Sequence, residues 1–142
     1  MLDTVREAIS ALQAETGTYP QGVQVWMKVM GLSYLASILF VLRRVGARFI
    51  FGALVLNLLG LVVGKLLFPE ATRTEIGTVV HLLFWPLMLW GVWRSPEVVS
   101  FFRSRSGNSV LDWVYFAWLG WACLLLVISL LLDFRTFVGF WL

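Results

Sequence analysis

Four long apolar runs constrain what this chain can fold into. They cover residues 23–42, 49–68, 76–93 and 113–132. An α-helix needs about 20 mostly apolar residues to cross the hydrocarbon layer of a membrane, and each run is close to that length. Stretches such as LLLVIS and GLVVG do not alternate apolar and polar residues, as the strands of a membrane barrel do. Because a helix satisfies its own backbone hydrogen bonds inside lipid, the runs predict four transmembrane helices.

The scarcity of charge excludes a soluble monomer. Of the 142 residues, 13% are charged and 60% are hydrophobic, whereas a soluble domain usually carries about 25% charged residues. A chain this short leaves much of its surface in contact with solvent, and it has too few charged side chains to cover that surface. The length leaves room for one membrane domain, residues 1–142, with short loops.

The segment before the first run predicts an amphipathic helix over residues 2–16. Gly17 and Pro20 follow it and mark its end. Because its polar face is not basic, attraction to anionic lipid is a weak explanation for it, and we expect the helix to lie at the membrane interface or to pack on a partner. Its apolar residues recur at helical spacing: Leu2, Val5, Ala8, Ile9 and Leu12. The predicted fold is all-α and integral to the membrane, a four-transmembrane-helix bundle with an amphipathic N-terminal interfacial helix.

The distribution of Lys and Arg predicts the orientation. Six of these residues lie in the first and third connections between runs, against four on the opposite side. Positive charges in short loops favour the cytoplasmic side of a membrane. We therefore expect both termini to be non-cytoplasmic, and we expect the protein to reside in a bacterial inner membrane.

Three ionisable residues fall near the outer ends of the predicted helices. Lys28 belongs to the first run, His81 to the third, and Asp133 directly follows the fourth. If the helices bundle, these side chains form one polar cluster, and a Lys28–Asp133 pair explains how the lysine is tolerated in the membrane. Two simpler interpretations stay open: Lys28 extends its ammonium to the interface, and His81 is a hydrogen-bonded structural residue.

The second run carries the candidate packing and pore residues. Asn57 lies near its middle, and Gly60 and Gly64 form a GxxxG motif, which lets two helix backbones approach closely. One interpretation is an interhelical hydrogen bond within tight packing. The other is a pore or substrate pathway lined by Asn57.

His81 is also the residue that suits a cofactor best. A histidine in a membrane helix can ligate haem or hydrogen-bond a quinone, but a second haem ligand of the same type has to come from another chain because this is the only histidine. The sequence lacks the HExxH, CxxC, GxSxG and P-loop motifs, and one histidine with one cysteine cannot complete a metal site. We therefore expect no catalytic residues, no metal and no resident cofactor.

Packing features outnumber chemical ones in this sequence. The leading hypothesis is a non-catalytic accessory subunit or assembly factor of a larger membrane complex. Its expected partners are the lipid bilayer and other membrane subunits or further copies of itself, with no role for nucleic acid. Two alternatives stay open: a small oligomeric transporter or channel that uses Asn57, and a haem- or quinone-binding anchor of a redox complex that uses His81.

Overall fold

The computed structural model describes residues 2–103 and 109–141, a part of the chain that contains helices and no strand. A short 3₁₀-helix, Ala36–Leu39, prolongs the second α-helix. The six α-helices of the described residues are α1 (Leu2–Gly17), α2 (Gln21–Leu35), α3 (Val45–Leu67), α4 (Arg73–Trp93), α5 (Pro96–Arg103) and α6 (Val110–Trp141).

Four of the helices are long and apolar enough to cross a membrane. These candidate spans are α2 with its 3₁₀ extension, α3, α4 and most of α6, up to Gly139. The prediction of four long apolar helices is therefore confirmed. The last helix is longer than the run at 113–132, because the tail after Asp133 continues as helix instead of turning away.

Helix α5 lies in the third connection, where the sequence interpretation placed only a loop. Ser95 and Pro96 mark its start: the carbonyl of Ser95 accepts hydrogen bonds from the backbone N–H of Val98 and of Val99, and proline is favoured in the first turn of a helix because it lacks an N–H to satisfy. Val98 is buried in the core of the molecule. The helix was missed because eight residues are too few to give a clear helical period.

Small residues bring α3 and α4 together. A Cβ atom added at Gly60 would lie 2.7 Å from Val80 Cγ2, and one added at Gly64 would come closer still to Ile76 Cγ2. Both separations are shorter than van der Waals contact, so a larger residue at either position requires the neighbouring side chain or the helices to shift. The two glycines of the predicted GxxxG motif thus lie at the contact between α3 and α4, as such motifs do in membrane helix pairs.

Helix α1 packs on its own chain. Leu12 is 5% exposed and forms an apolar cluster with Leu61 of α3 and with Ile76 and Val80 of α4. The opposite face of α1 is exposed and polar. The amphipathic pattern is therefore explained in part by a contact within the molecule, at the end where α3 finishes and α4 begins.

An ionic network fixes α1 in this position. Glu15 Oε1 accepts a hydrogen bond from Lys65 Nζ at 2.7 Å, and Glu15 Oε2 accepts one from the backbone N–H of Arg73 at 2.5 Å. Burial raises the pKa of the Glu15 carboxyl, but the hydrogen bonds and positive charges of Lys65 and Arg73 outweigh that effect, so its pKa lies below its ordinary value. A carboxylate at the N-terminus of α4 also suits the helix dipole.

A second polar network lies at the other end of the molecule. Glu97 Oε1 accepts hydrogen bonds from the backbone N–H of Gly46, at 2.6 Å, and from the hydroxyl of Tyr115, at 3.2 Å. Arg44 forms an ion pair with Asp112 and lies over the ring of Tyr115. These contacts join the beginnings of α3, α5 and α6, so both ends of the helical assembly are held by hydrogen-bonded charges.

Candidate functional site: a cleft with a buried histidine

A cleft of about 500 Å³ opens between α2, α3, α4 and α6, at the end of the molecule that carries α1. This volume falls in the range typical of small-molecule sites, about 300–1,000 Å³. Its walls are mostly apolar, and residues such as Trp26, Met27, Leu58 and Leu132 contribute to them. The polar side chains that line the cleft come from four different helices, which makes this the strongest candidate for a binding site.

Three side chains form a continuous hydrogen-bonded chain along one wall of the cleft. Asp133 Oδ2 of α6 lies 2.7 Å from His81 Nδ1 of α4, and His81 Nε2 lies 3.1 Å from Asn57 Oδ1 of α3. The second carboxylate oxygen of Asp133 accepts a longer bond, 3.4 Å, from the hydroxyl of Thr78. We refer to Asn57, His81 and Asp133 as the polar chain. It connects three of the four candidate spans.

The orientation of the Asn57 amide is linked to the hydrogen-bond role of His81 Nε2. When the amide oxygen of Asn57 faces the ring, Nε2 donates to it, and when the amide nitrogen faces the ring, Nε2 accepts from it. Both ring nitrogens are within hydrogen-bond distance of a neighbouring side chain in either case.

Aromatic packing fixes the plane of the imidazole. The ring of Trp85 stacks on His81 with the centroids 3.6 Å apart and the planes inclined by 25°. Trp85 is fully buried, and its ring packs nearly perpendicular to that of Tyr34, with the two ring centroids 6.2 Å apart. Because the ring cannot tilt, its two nitrogens stay directed at Asp133 and Asn57.

The structure brings together two members of the proposed cluster and leaves the third apart. His81 and Asp133 are hydrogen-bonded, whereas Lys28 is exposed on α2. Among the described residues, no carboxylate lies within ion-pair distance of Lys28, so the expected pair with Asp133 is absent from this structure. The reason is the helical period: Met27 and Gly31 line the cleft, and Lys28 is rotated about 100° away from Met27.

Asn57 lies in a different environment from the nearby glycines Gly60 and Gly64 of the same helix. Gly60 and Gly64 contact α4 directly, whereas Asn57 lines the cleft and hydrogen-bonds His81. The contact with His81 is an interhelical hydrogen bond, as one interpretation from the sequence has it; the other, a pore or substrate pathway lined by Asn57, stays a prediction.

The sequence interpretation missed three hydroxyl groups of the cleft. Thr78 lies three residues before His81 on α4, Ser129 lies four residues before Asp133 on α6, and Tyr34 lines the wall formed by α2. Residues three or four apart share a helix face, so this spacing is the signal that could have found Thr78 and Ser129. Tyr34 could not be found in this way, because nothing in the sequence shows which face of α2 meets the other helices.

The mouth of the cleft lies beside the turn that joins α1 to α2. The hydroxyl of Tyr19 is 2.8 Å from Thr74 Oγ1, across the opening. Arg73 also lines the mouth, and its Nη1 donates to Thr16 Oγ1 at 2.7 Å on α1. The guanidinium is thus engaged by α1 instead of extending into the cleft.

The polar chain does not fit a haem iron. Both nitrogens of His81 are within hydrogen-bond distance of other side chains, so neither has a free lone pair for a metal. In the described ranges, no group of three His, Cys, Asp or Glu side chains is arranged to hold a metal ion.

Comparison of the chain with protein-family models, with curated proteins and with solved structures gives no match. The function of the protein is therefore inferred from the geometry of the cleft.

Proposed function

We propose that the protein is a four-span integral membrane protein that binds a small amphipathic molecule in its cleft, as a non-catalytic accessory subunit of a larger membrane complex. The observation that supports this most strongly is the polar chain of Asn57, His81 and Asp133 in the wall of an otherwise apolar cavity. An apolar pocket with a few convergent polar groups is the usual form of a small-molecule site.

The outward faces of the candidate spans support a membrane location. Large apolar side chains such as Leu59 on α3, Leu83 on α4 and Leu131 on α6 are exposed, which is unfavourable in water and favourable in lipid. The proposed orientation has both termini outside the cytoplasm, because the exposed arginines Arg43 and Arg94 lie at the end opposite α1. In this arrangement α1 lies at the outer interface, across the ends of α3 and α4.

The partner of His81 Nε2 favours binding over nucleophilic catalysis. In a catalytic Asp–His arrangement, the distal ring nitrogen faces a hydroxyl or a thiol, which the histidine deprotonates. Here that nitrogen faces the amide of Asn57 at 3.1 Å, and an amide is not a nucleophile. The polar chain is suited to positioning the amide and the imidazole for a bound molecule.

A second candidate function is transport of that molecule. The cleft lies at the α1 end, while the network of Glu97, Tyr115 and Arg44 joins the helices at the other end. A cavity on one side of such a closure is also what a transporter presents in one of its two states. Flux of the bound molecule into proteoliposomes that contain only this protein would favour transport over the role of accessory subunit.

A cavity-filling variant tests the binding site. Gly31 lines the cleft, and a Cβ atom added there meets no atom within 4 Å, so Gly31→Leu adds a large apolar side chain at the cleft wall from a position where its Cβ has room. Gly120→Leu is the matched control, because Gly120 is exposed on α6 and also has open space around it. We expect mass spectrometry of extracts from protein purified in mild detergent to find one amphipathic molecule in the wild type and in Gly120→Leu, and to find it depleted in Gly31→Leu.

Equal amounts of that molecule in all three proteins would contradict a ligand site in the cleft. The role as a subunit is tested in the same detergent extract by the native mass of the tagged protein. A mass that corresponds to this 16.1 kDa chain alone or in multiples, without other polypeptides, would contradict the accessory role.

A further inference from the structure

We propose that the cleft recognises a neutral amphiphile through carbonyl oxygens, by hydrogen bonds from Tyr34, Ser129 and Asn57. This inference rests on the proposal that the cleft is a binding site, and it adds the chemical class of the ligand. It follows from which hydrogen-bonding groups of the cleft are already used within the protein and which are not.

Two buried hydroxyls of the cleft lack a good acceptor. Tyr34 is 2% exposed, and its hydroxyl has only the sulfur of Met30, at 4.0 Å, which is a weak acceptor. Ser129 is 6% exposed, and no hydrogen bond of its hydroxyl is present in the described part of the chain, although its oxygen is not among the fully enclosed side-chain atoms. A hydroxyl donor in such a weakly hydrated place gains free energy from an acceptor. Since both residues line the same cleft, an acceptor oxygen on a bound molecule would satisfy them.

The acceptors of the cleft are already occupied. Both oxygens of Asp133 receive hydrogen bonds, from His81 and from Thr78, and Asn57 Oδ1 faces His81. In that orientation the amide nitrogen of Asn57 is a further donor without a partner in the described part of the chain. With the Asn57 amide in this orientation, the free groups of the cleft can all donate hydrogen bonds, and they favour a ligand that accepts them.

The charges that line the cleft face other groups of the protein. Asp133 lies 2.7 Å from the imidazole of His81, and the guanidinium of Arg73 is held by Thr16 at 2.7 Å, near the carboxylate of Glu15 with which its charge interacts. A charged ligand would lose its hydration in an apolar site without gaining an opposite free charge. A neutral head group attached to an apolar body avoids this loss of hydration. Trp26 and Met27 supply an apolar wall for that body.

Two kinds of membrane molecule share this chemistry. The ring carbonyls of a quinone and the ester carbonyl of an uncharged acylglycerol are both acceptors on a neutral amphiphile. The experiment therefore compares an alkyl benzoquinone with a monoacylglycerol of the same chain length. The alkylbenzene of that chain length serves as the probe without a carbonyl group, and the corresponding fatty acid and alkylamine serve as the charged probes.

Titration calorimetry of the full chain in dodecyl maltoside, a detergent without carbonyl groups, tests the proposal. We expect at least one carbonyl probe to bind at least about tenfold more tightly than the alkylbenzene and than either charged probe, since two or more hydrogen bonds distinguish them. A preference for the benzoquinone identifies a quinone as the ligand, and a preference for the monoacylglycerol identifies an ester lipid.

Conservative variants assign the recognition to the two hydroxyls. Tyr34→Phe and Ser129→Ala should each weaken binding of the preferred carbonyl probe about fivefold, the effect of one hydrogen bond, and leave binding of the alkylbenzene unchanged. Ser33→Ala is the control, because Ser33 also lies in a candidate span but its hydroxyl contacts Trp121 instead of lining the cleft. Thermal unfolding checks that each variant is folded, and Ser129→Ala carries the test alone if Tyr34→Phe is not.

Two outcomes separate the failure of this inference from the failure of the proposed function. If the alkylbenzene or a charged probe binds as tightly as the carbonyl probes, and Gly31→Leu abolishes that binding, the cleft is a binding site but does not recognise neutral carbonyls. If no probe shows binding that Gly31→Leu removes, the proposed ligand site itself is wrong.

Discussion

His81 shows how one polar residue can be accommodated between apolar helices. Its side chain is 12% exposed and that of Asp133 is 18% exposed, so neither group has enough contact with solvent to be stabilised by water. Each satisfies the other instead, and Asn57 and Trp85 complete the surroundings of the ring. Removing one member of such a buried pair leaves the other without compensation, which costs more free energy than the intact pair contributes.

We expect strong energetic coupling between His81 and Asp133. His81→Leu should lower the free energy of unfolding by about 3 kcal/mol, because the carboxylate of Asp133 loses its partner. The double variant His81→Leu/Asp133→Asn should lose less stability than the sum of the two single losses. The difference, which is the coupling energy, should be about 1 kcal/mol or more. Unfolding in mixed micelles measures all of these variants.

The same cycle with Lys28→Met is the control for that prediction. Because Lys28 is exposed and is not paired with Asp133, its effect and that of Asp133→Asn should simply add. Additive losses for His81 and Asp133, or coupling between Lys28 and Asp133, would contradict the hydrogen bonds described here.

Helix α1 is positioned by a carboxylate as well as by apolar packing. The pKa of Glu15 is lower in the folded protein than its ordinary value of 4.5, so protonation favours the unfolded chain. The stability that Glu15 contributes is therefore fully present above about pH 4.5 and is lost as the pH falls through the pKa of the folded state.

We expect Glu15→Gln to be less stable than the wild type near pH 6, by about 1 kcal/mol, which is typical of one charged, partly exposed contact. The difference should shrink as the pH is lowered from 5 through the pKa of the folded carboxyl, which lies below 4.5, because the wild-type carboxyl then also becomes protonated. Thermal unfolding of both proteins across this pH range measures it. A difference that stays constant over the whole range is inconsistent with a contribution from the ionised carboxylate.

The contact between α3 and α4 depends on the absence of a side chain at Gly64. Gly64→Ala should destabilise the protein by about 1–3 kcal/mol, the usual effect of overpacking, because the new methyl group would meet Ile76. Adding Ile76→Leu, which removes the Cγ2 methyl group that the new alanine would meet, should recover part of that loss. Thermal unfolding in detergent makes the comparison.

Gly120→Ala serves as the reference for Gly64→Ala. No atom lies within 4 Å of the added Cβ atom, so alanine at this position should be neutral or slightly stabilising, as its higher helix propensity predicts. Equal effects at Gly64 and Gly120 would mean that helix propensity, and not the approach of α4, determines the result.

At the scale of the whole molecule, the sequence predicts where the helices lie along the chain better than it predicts which helix faces contact one another. The four apolar runs have lengths that fit only long helices, and four such helices are present. Which faces meet is decided by side-chain packing, and a helical period does not show it. Thus His81 and Asp133 lie within hydrogen-bond distance of each other, whereas Lys28 is exposed on another face of its helix.

The orientation of the whole chain can be tested with single cysteines. Cys123 is first replaced by serine, and a cysteine is then introduced either at Thr18, beside α1, or at Ser109, before α6; both positions are exposed. In intact cells whose outer barrier admits the reagent, a membrane-impermeant maleimide should label Thr18→Cys. It should label Ser109→Cys only after the membrane has been permeabilised. The reverse pattern would place both termini in the cytoplasm.

The position of Leu12 has a consequence for the order of biosynthesis. Its docking surface consists of Leu61, Ile76 and Val80, which the ribosome adds about fifty residues later and more. Helix α1 is therefore translated before the surface on which it packs, and it gains these contacts only after α3 and α4 have been synthesised and have paired. In that interval its apolar face lacks a docking surface, a need that an amphipathic helix can meet at a lipid interface.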